Sequence, residues 1–126
     1  MNKVIVAIGS NYDSRPRIEA AKKSLQRLIH NAGFTPEKET APIGVSLPCA
    51  NYTNLLAYGY TDISIDSLRE HLKDIEKACG DKREERRKGK VAMDLDILLY
   101  GSSRHHDADW QRDYIKEMIH SIHHFL

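Results

Sequence analysis

Met93-Asp94-Leu95-Asp96-Ile97-Leu98-Leu99-Tyr100 is the stretch on which the fold turns. It extends from Val91 as a run of β-branched and large apolar residues, too short for a buried helix and rich enough for a buried strand. Side chains alternate along a strand, so Asp94 and Asp96 project from one face. Leu95, Ile97 and Leu99 are expected on the other face, packed against helices. Two adjacent carboxylates repel each other unless cations neutralise them. Hard divalent ions do this, and Mg²⁺ uses one or two carboxylates plus substrate phosphates. An exposed acidic face offset by nearby Lys and Arg accounts for the pair equally well.

Upstream, Lys82, Arg83, Arg86, Arg87, Lys88 and Lys90 set six cations against Asp81, Glu84 and Glu85. Taken alone this is a solvated loop. Feeding an acidic strand, it suits a metal-bound phosphate ligand. Further back, Lys3–Ile8 reads as a buried strand closed by Gly9-Ser10-Asn11, a tight turn. Asp13, Ser14 and Pro16 mark a helix start. Ile18, Ala21, Leu25, Leu28, Ile29 and Ala32 line one face of that helix, and Gly33 is its expected stop. Residues 34–40 are a weaker strand, Pro42 to Pro48 a loop, and 52–61 a strand. Ser64 caps a second helix whose stripe is Leu68, Leu72, Ile75 and Cys79, with Gly80 at its end. A last helix is expected from Asp107 onward. The order β-α-β-β-α-β predicts an α+β, ferredoxin-like antiparallel sheet with helices on one face, plus a C-terminal helix.

The 126 residues are 40% apolar, enough for one domain with a modest core. Nineteen basic residues against eighteen acidic ones give no pull toward nucleic acid or membrane. No apolar run is long enough to span a bilayer, and Val4–Ile8 is too short for a signal core, so a cytoplasmic protein is expected. Cys49 and Cys79 read as reduced thiols rather than a disulfide framework. His120 and His124 would share a helix face and could hold a transition metal, although no acidic or Cys partner stands at fitting spacing. A His-rich polar helix face is the plainer account.

These pieces resemble the 6-hydroxymethyl-7,8-dihydropterin pyrophosphokinase family. The resemblance rests on Gly9-Ser10-Asn11, Thr40-Ala41-Pro42-Ile43-Gly44, Tyr52-Thr53-Asn54, Ile75-Glu76 with Gly80 and Arg83, and Asp94-Leu95-Asp96-Ile97-Leu98-Leu99-Tyr100-Gly101, in the family's order. It implies transfer of the β,γ-pyrophosphate of ATP to the hydroxymethyl group of a reduced pterin, with release of AMP. It also implies two Mg²⁺ ions, bound by Asp94 and Asp96. Thr40, Ile43, Tyr52, Asn54 and Tyr114 would meet the pterin. Arg83, Arg87, Lys90, His106 and Arg112 would face ATP, with Arg83 and Lys90 assisting the chemistry.

Two positions depart from the family pattern: Asp81 and Val91 stand where arginines are expected. Each lost phosphate-facing guanidinium costs on the order of a hundredfold in rate. Lys90, beside Val91, is a point charge rather than a bidentate fork. Weak transfer is therefore expected, improved by Asp81→Arg with Val91→Arg. After Gly101 the resemblance thins to the spacing of His106, Arg112 and Tyr114. The alternative is a weakened or inactive relative that binds a nucleotide or pterin, or another protein.

Overall fold

The computed structural model describes residues 1–42 and 49–126. Its sheet contains β1 (Asn2–Ser10), β2 (His30–Phe34), β3 (Lys38–Thr40), β4 (Tyr52–Thr61), β5 (Asp94–Tyr100) and β6 (Ser103–Arg104). The helices are α1 (Ser14–Leu28), α2 (Ile65–Ala78), α3 (Arg83–Arg87), α4 (Asp107–Trp110) and α5 (Asp113–Ser121), followed by a 3-10 turn at His123–Phe125. The strand order is β2-β4-β1-β5-β6, and β3 lies beside the first half of β4. All pairings are antiparallel. Because β2 and β3 share one edge of β4, they act as one strand broken around Pro36. The βαββαβ order and the α+β class expected from the sequence are therefore present.

The sheet is covered on both faces. Val4, Val6 and Ile8 of β1 pack under α1 and α2 with Ile18, Leu25, Leu68 and Leu72. On the opposite face Ile5, Leu56, Leu98 and Leu99 pack under α4 and α5 with Trp110, Ile115, Met118 and Ile122. These C-terminal elements cover only the half of that face nearest Ile5. The other half, at the ends of β1, β4 and β5 carrying Gly9, Asn54 and Asp94, is left to line a cleft.

Four local readings change. Helix α1 stops at Leu28, and Ala32 and Gly33 belong to β2. The apolar pattern continues past Leu28 because Ile29 and Ala32 still face the same core. The reversal is carried by Asn31, at φ 54°. It also needs Gly59, where a Cβ would run into Ile29 and the His30 carbonyl. Second, the basic segment is not all loop: Arg83–Arg87 forms α3, though none of residues 81–90 is buried. Third, the C-terminal helix is divided at Gln111-Arg112 and ends at Ser121.

Fourth, strict alternation along β5 fails after Ile97. Val6 pairs with Ile97 but Ile5 pairs with Leu99, so Leu98 is a surplus residue, a β-bulge. Asp94 and Asp96 share one face, with Leu95 and Ile97 on the other, as expected. Beyond the bulge Leu98 and Leu99 both turn to the face of the aspartates, and Tyr100 joins the α1–α2 side. The Leu98 carbonyl instead accepts from His105 N at 3.0 Å and Trp110 Nε1 at 3.1 Å.

Candidate active site

The register sets the site. Gly9 of β1 pairs with Asn54 of β4 on one side and with Asp94 of β5 on the other. Adjacent strands lie about 4.8 Å apart, so Asn54 and Asp94 are separated by roughly 10 Å across a residue without a side chain. A Cβ on Gly9 would stand 3.4 Å from Asn54 Oδ1 and 3.8 Å from the Tyr52 ring. The glycine thus keeps open the floor of a first cleft. Thr40, Tyr52, Asn54, Arg112 and Tyr114 line it, together with Asp94 and Asp96. Asn54 Nδ2 donates to Thr40 Oγ1 at 2.6 Å, which fixes the amide at the cleft wall. Burial raises the Tyr52 and Tyr114 hydroxyls above the ordinary phenol value, so both stay neutral.

A second cleft lies between α2, α3 and the start of β5. Its cations are Arg69, Lys73, Lys77, Arg83 and Arg86, and its anions Glu76, Asp81, Asp94 and Asp96. Asp94 and Asp96 belong to both clefts. Asp96 is pushed up to about 7, chiefly by burial and then by the charge of Asp94, against the opposing pull of His106. His106 Nε2 lies 3.8 Å from Asp96 Oδ1. A carboxylate pair this costly to ionise, open to two clefts, fits a hard divalent cation that neutralises it. Glu76 Oε2 accepts from Leu95 N at 2.8 Å and so satisfies the open edge of β5 beside the pair.

The structure brings Thr40, Tyr52, Asn54, Asp94, Asp96, Arg112 and Tyr114 around the first cleft, and Arg83 and His106 around the second. Arg112 thus stands on the Tyr114 side, with Nε 3.2 Å from Asp109 Oδ1. Arg87 is exposed and lines neither cleft. Lys90 also lies outside both, its ammonium 5.1 Å from the Tyr12 ring. Ile43 lies outside the described residues. His120 and His124 do not share a helix face, since α5 ends at Ser121: His120 stacks on His123, and His124 stands edge-on to Tyr58. Among the described residues no group of three or more His, Cys, Asp or Glu is arranged for a metal ion. No described helix is long and apolar enough to cross a membrane.

In the sequence Asn11 reads only as part of a tight turn. Its Oδ1 accepts from Val91 N at 2.6 Å and its Nδ2 donates to Gly89 O at 2.9 Å and to Ala50 O at 3.4 Å. One side chain ties the end of the basic segment and the entry to β4 to the end of β1. An Asn after a strand-closing Gly-Ser is too common a turn signal to disclose this. Asn11→Ala is expected to cost about 2 kcal/mol, because it strands the buried Val91 N–H and removes two part-buried bonds. The Val91 amide should exchange faster, by at least tenfold, as measured by hydrogen exchange. An unchanged Val91 amide would show that the clamp is not needed.

A family model described as 7,8-dihydro-6-hydroxymethylpterin-pyrophosphokinase matches residues 5–124. Two Arabidopsis thaliana proteins are similar to the chain. One is a folate synthesis bifunctional protein, 29% identical over 126 residues. The other is a folate synthesis bifunctional protein, mitochondrial, 29% identical over 127 residues. Each comparison covers 90% of this chain but only 25% and 22% of the relative, so the chain spans about a quarter of their length.

Proposed function

Because the chain belongs to the 7,8-dihydro-6-hydroxymethylpterin-pyrophosphokinase family, we propose that it transfers pyrophosphate from ATP to 6-hydroxymethyl-7,8-dihydropterin, a step of folate synthesis. The observation that carries this reading is the sharing of Asp94 and Asp96 between an aromatic, amide-lined cleft and a cation-rich one. An acceptor in the first and a triphosphate in the second would meet at the carboxylates.

In the reaction the hydroxymethyl oxygen attacks the β-phosphorus, the bond between that phosphorus and the α,β-bridging oxygen breaks, AMP leaves with that oxygen, and the hydroxyl proton is released. Little covalent work falls to the protein; positioning and charge neutralisation carry the rate. Asn54, held by Thr40, offers its amide to the pterin ring edge, and Tyr52 and Tyr114 enclose the ring. Ile43 belongs to the same acceptor-side set. Arg83 and His106 face the phosphates, Arg112 stands beside Tyr114, and Arg87 and Lys90, which line neither cleft, would act on ATP only from outside. Asp94 and Asp96 would hold two Mg²⁺ ions, which supply neutralisation of the triphosphate.

The test is AMP release measured with ATP and the reduced hydroxymethylpterin. Release that needs both the pterin and Mg²⁺ supports the proposal. No AMP above background with both substrates saturating overturns it.

A further inference from the structure

Asp81 was expected to be a defect, a carboxylate at the mouth of a phosphate cleft where the family pattern has arginine. The structure gives it a partner. Arg86 Nε stands 3.0 and 2.8 Å from the two Asp81 oxygens. Its Nη2 donates to Met93 O at 3.1 Å and approaches Asp94 Oδ1 at 3.5 Å. Two independent anchors, a carboxylate at Nε and a backbone carbonyl at Nη2, hold the guanidinium plane. Among the described residues Nη1 makes no hydrogen bond, and the side chain is 37% exposed in the second cleft.

We infer that Arg86 is a phosphate ligand of the second cleft and that Asp81 is its positioning residue. The inference rests on the nucleotide reading of that cleft. A guanidinium fixed in this way loses little rotamer freedom on binding a phosphate oxygen, and its outer nitrogens match the phosphate edge. The ion pair also cancels the charge with which Asp81 would repel a triphosphate. The 3.5 Å approach to Asp94 is the weakest of the contacts. A cation taken up by Asp94 would therefore leave Arg86 seated on Asp81 and Met93.

Two consequences oppose the sequence expectation. Asp81→Arg sets two guanidiniums against each other and releases Arg86, so it weakens phosphate binding. Val91→Arg gains nothing: Val91 is buried, with its N–H and carbonyl both bonded to Asn11. The chain thus supplies from α3 the charge that its Asp81 position lacks.

The test is calorimetry with Mg²⁺ and a non-hydrolysable ATP analogue, and separately with Mg²⁺ and inorganic tripolyphosphate. The proteins are wild type, Asp81→Ala, Arg86→Ala, the double variant and Arg86→Lys, each checked for an unchanged melting temperature. Arg86→Ala is expected to weaken both probes at least tenfold, and Arg86→Lys to recover part of that. Asp81→Ala should weaken them about fivefold in the wild-type background and not at all beside Arg86→Ala. A merely structural ion pair would leave the probe affinities alone. Wild-type binding of the analogue with equal affinity in all variants overturns the clamp and leaves the nucleotide reading standing. Asp81→Ala that tightens binding, or that acts equally without Arg86, also overturns the clamp. Binding of tripolyphosphate with the stated variant pattern, but not of the analogue, supports the clamp and overturns the nucleotide reading. Binding of neither probe by wild type overturns both.

Discussion

Asp96→Asn is expected to lower AMP release at least a thousandfold and, in metal-free protein, to raise the melting temperature at alkaline pH. The first effect follows from losing a charged oxygen ligand where the triphosphate must be neutralised. The second follows from Asp96 standing near 7 in the folded chain rather than near the ordinary 3.8. Between those values the folded protein holds a proton that the unfolded chain releases. Stability from this group is therefore full below about pH 4 and declines as pH rises toward 7. The side chain is 32% exposed. Discounting the linkage for solvent screening leaves about 2 kcal/mol, or about 7 °C, gained by the asparagine at pH 8. Melting curves of both proteins from pH 4 to pH 8 check it: they should coincide at pH 4 and diverge upward. Parallel curves, or an active variant, would contradict the assignment. Mg²⁺ should stabilise the wild type more than the variant.

Trp110→Ala is expected to have the largest structural effect, about 4 kcal/mol by urea denaturation. The indole is buried against Ile5, Leu98 and Ile115, and its N–H is shared between Leu98 O at 3.1 Å and His105 O at 3.0 Å. Arg104 covers the outer ring face at 4.3 Å. Removing it leaves a cavity and takes the donor from the His105 carbonyl, while Leu98 O keeps His105 N, under the elements that carry Arg112 and Tyr114. Pterin affinity should fall by tenfold or more, while tripolyphosphate affinity changes less than threefold, because the second cleft is built mostly on α2 and α3 and only His106 adjoins α4. Trp110→Phe should lose about half as much stability. A urea midpoint within error of wild type, or equal loss of both ligands, would show that α4 and α5 do not act as the wall of the first cleft alone.

Where the sequence was readable, one element spoke for itself. Asp94 and Asp96 could be set on one face because four residues of plain alternation are enough, and Ser64 could be named a cap because its Oγ does meet Ser67 N. Reading failed where one chain position answers to two neighbours. Ile29 and Ala32 kept helical spacing although the helix had ended, since β2 returns them to the same core. Asp81 looked like a loss because a five-residue offset to Arg86 belongs to no regular repeat. It arises only when a glycine turn at Gly80, at φ 88°, and the short α3 fold back together. Asn11 looked like an ordinary turn because its partners lie 39, 78 and 80 positions away.

The surplus residue in β5 has a consequence for how the chain tolerates change in length. Upstream of Leu98 the strand is in phase with the carboxylates; downstream it is half a period out, and Tyr100 points away to donate its hydroxyl to Ile63 O at 2.6 Å. Deleting Leu98 would leave the carboxylate pair and the whole α1–α2 core in the chain. It would restore plain alternation and leave Leu99 and Tyr100 on their present faces, but it would take a buried side chain out of the α4–α5 core and remove the carbonyl from which His105 and Trp110 hang. One wall of the acceptor cleft is thus suspended from a counting irregularity in the strand that carries the carboxylates. Chains that share all the side chains of this site but differ by one residue at this point would not be expected to share the site.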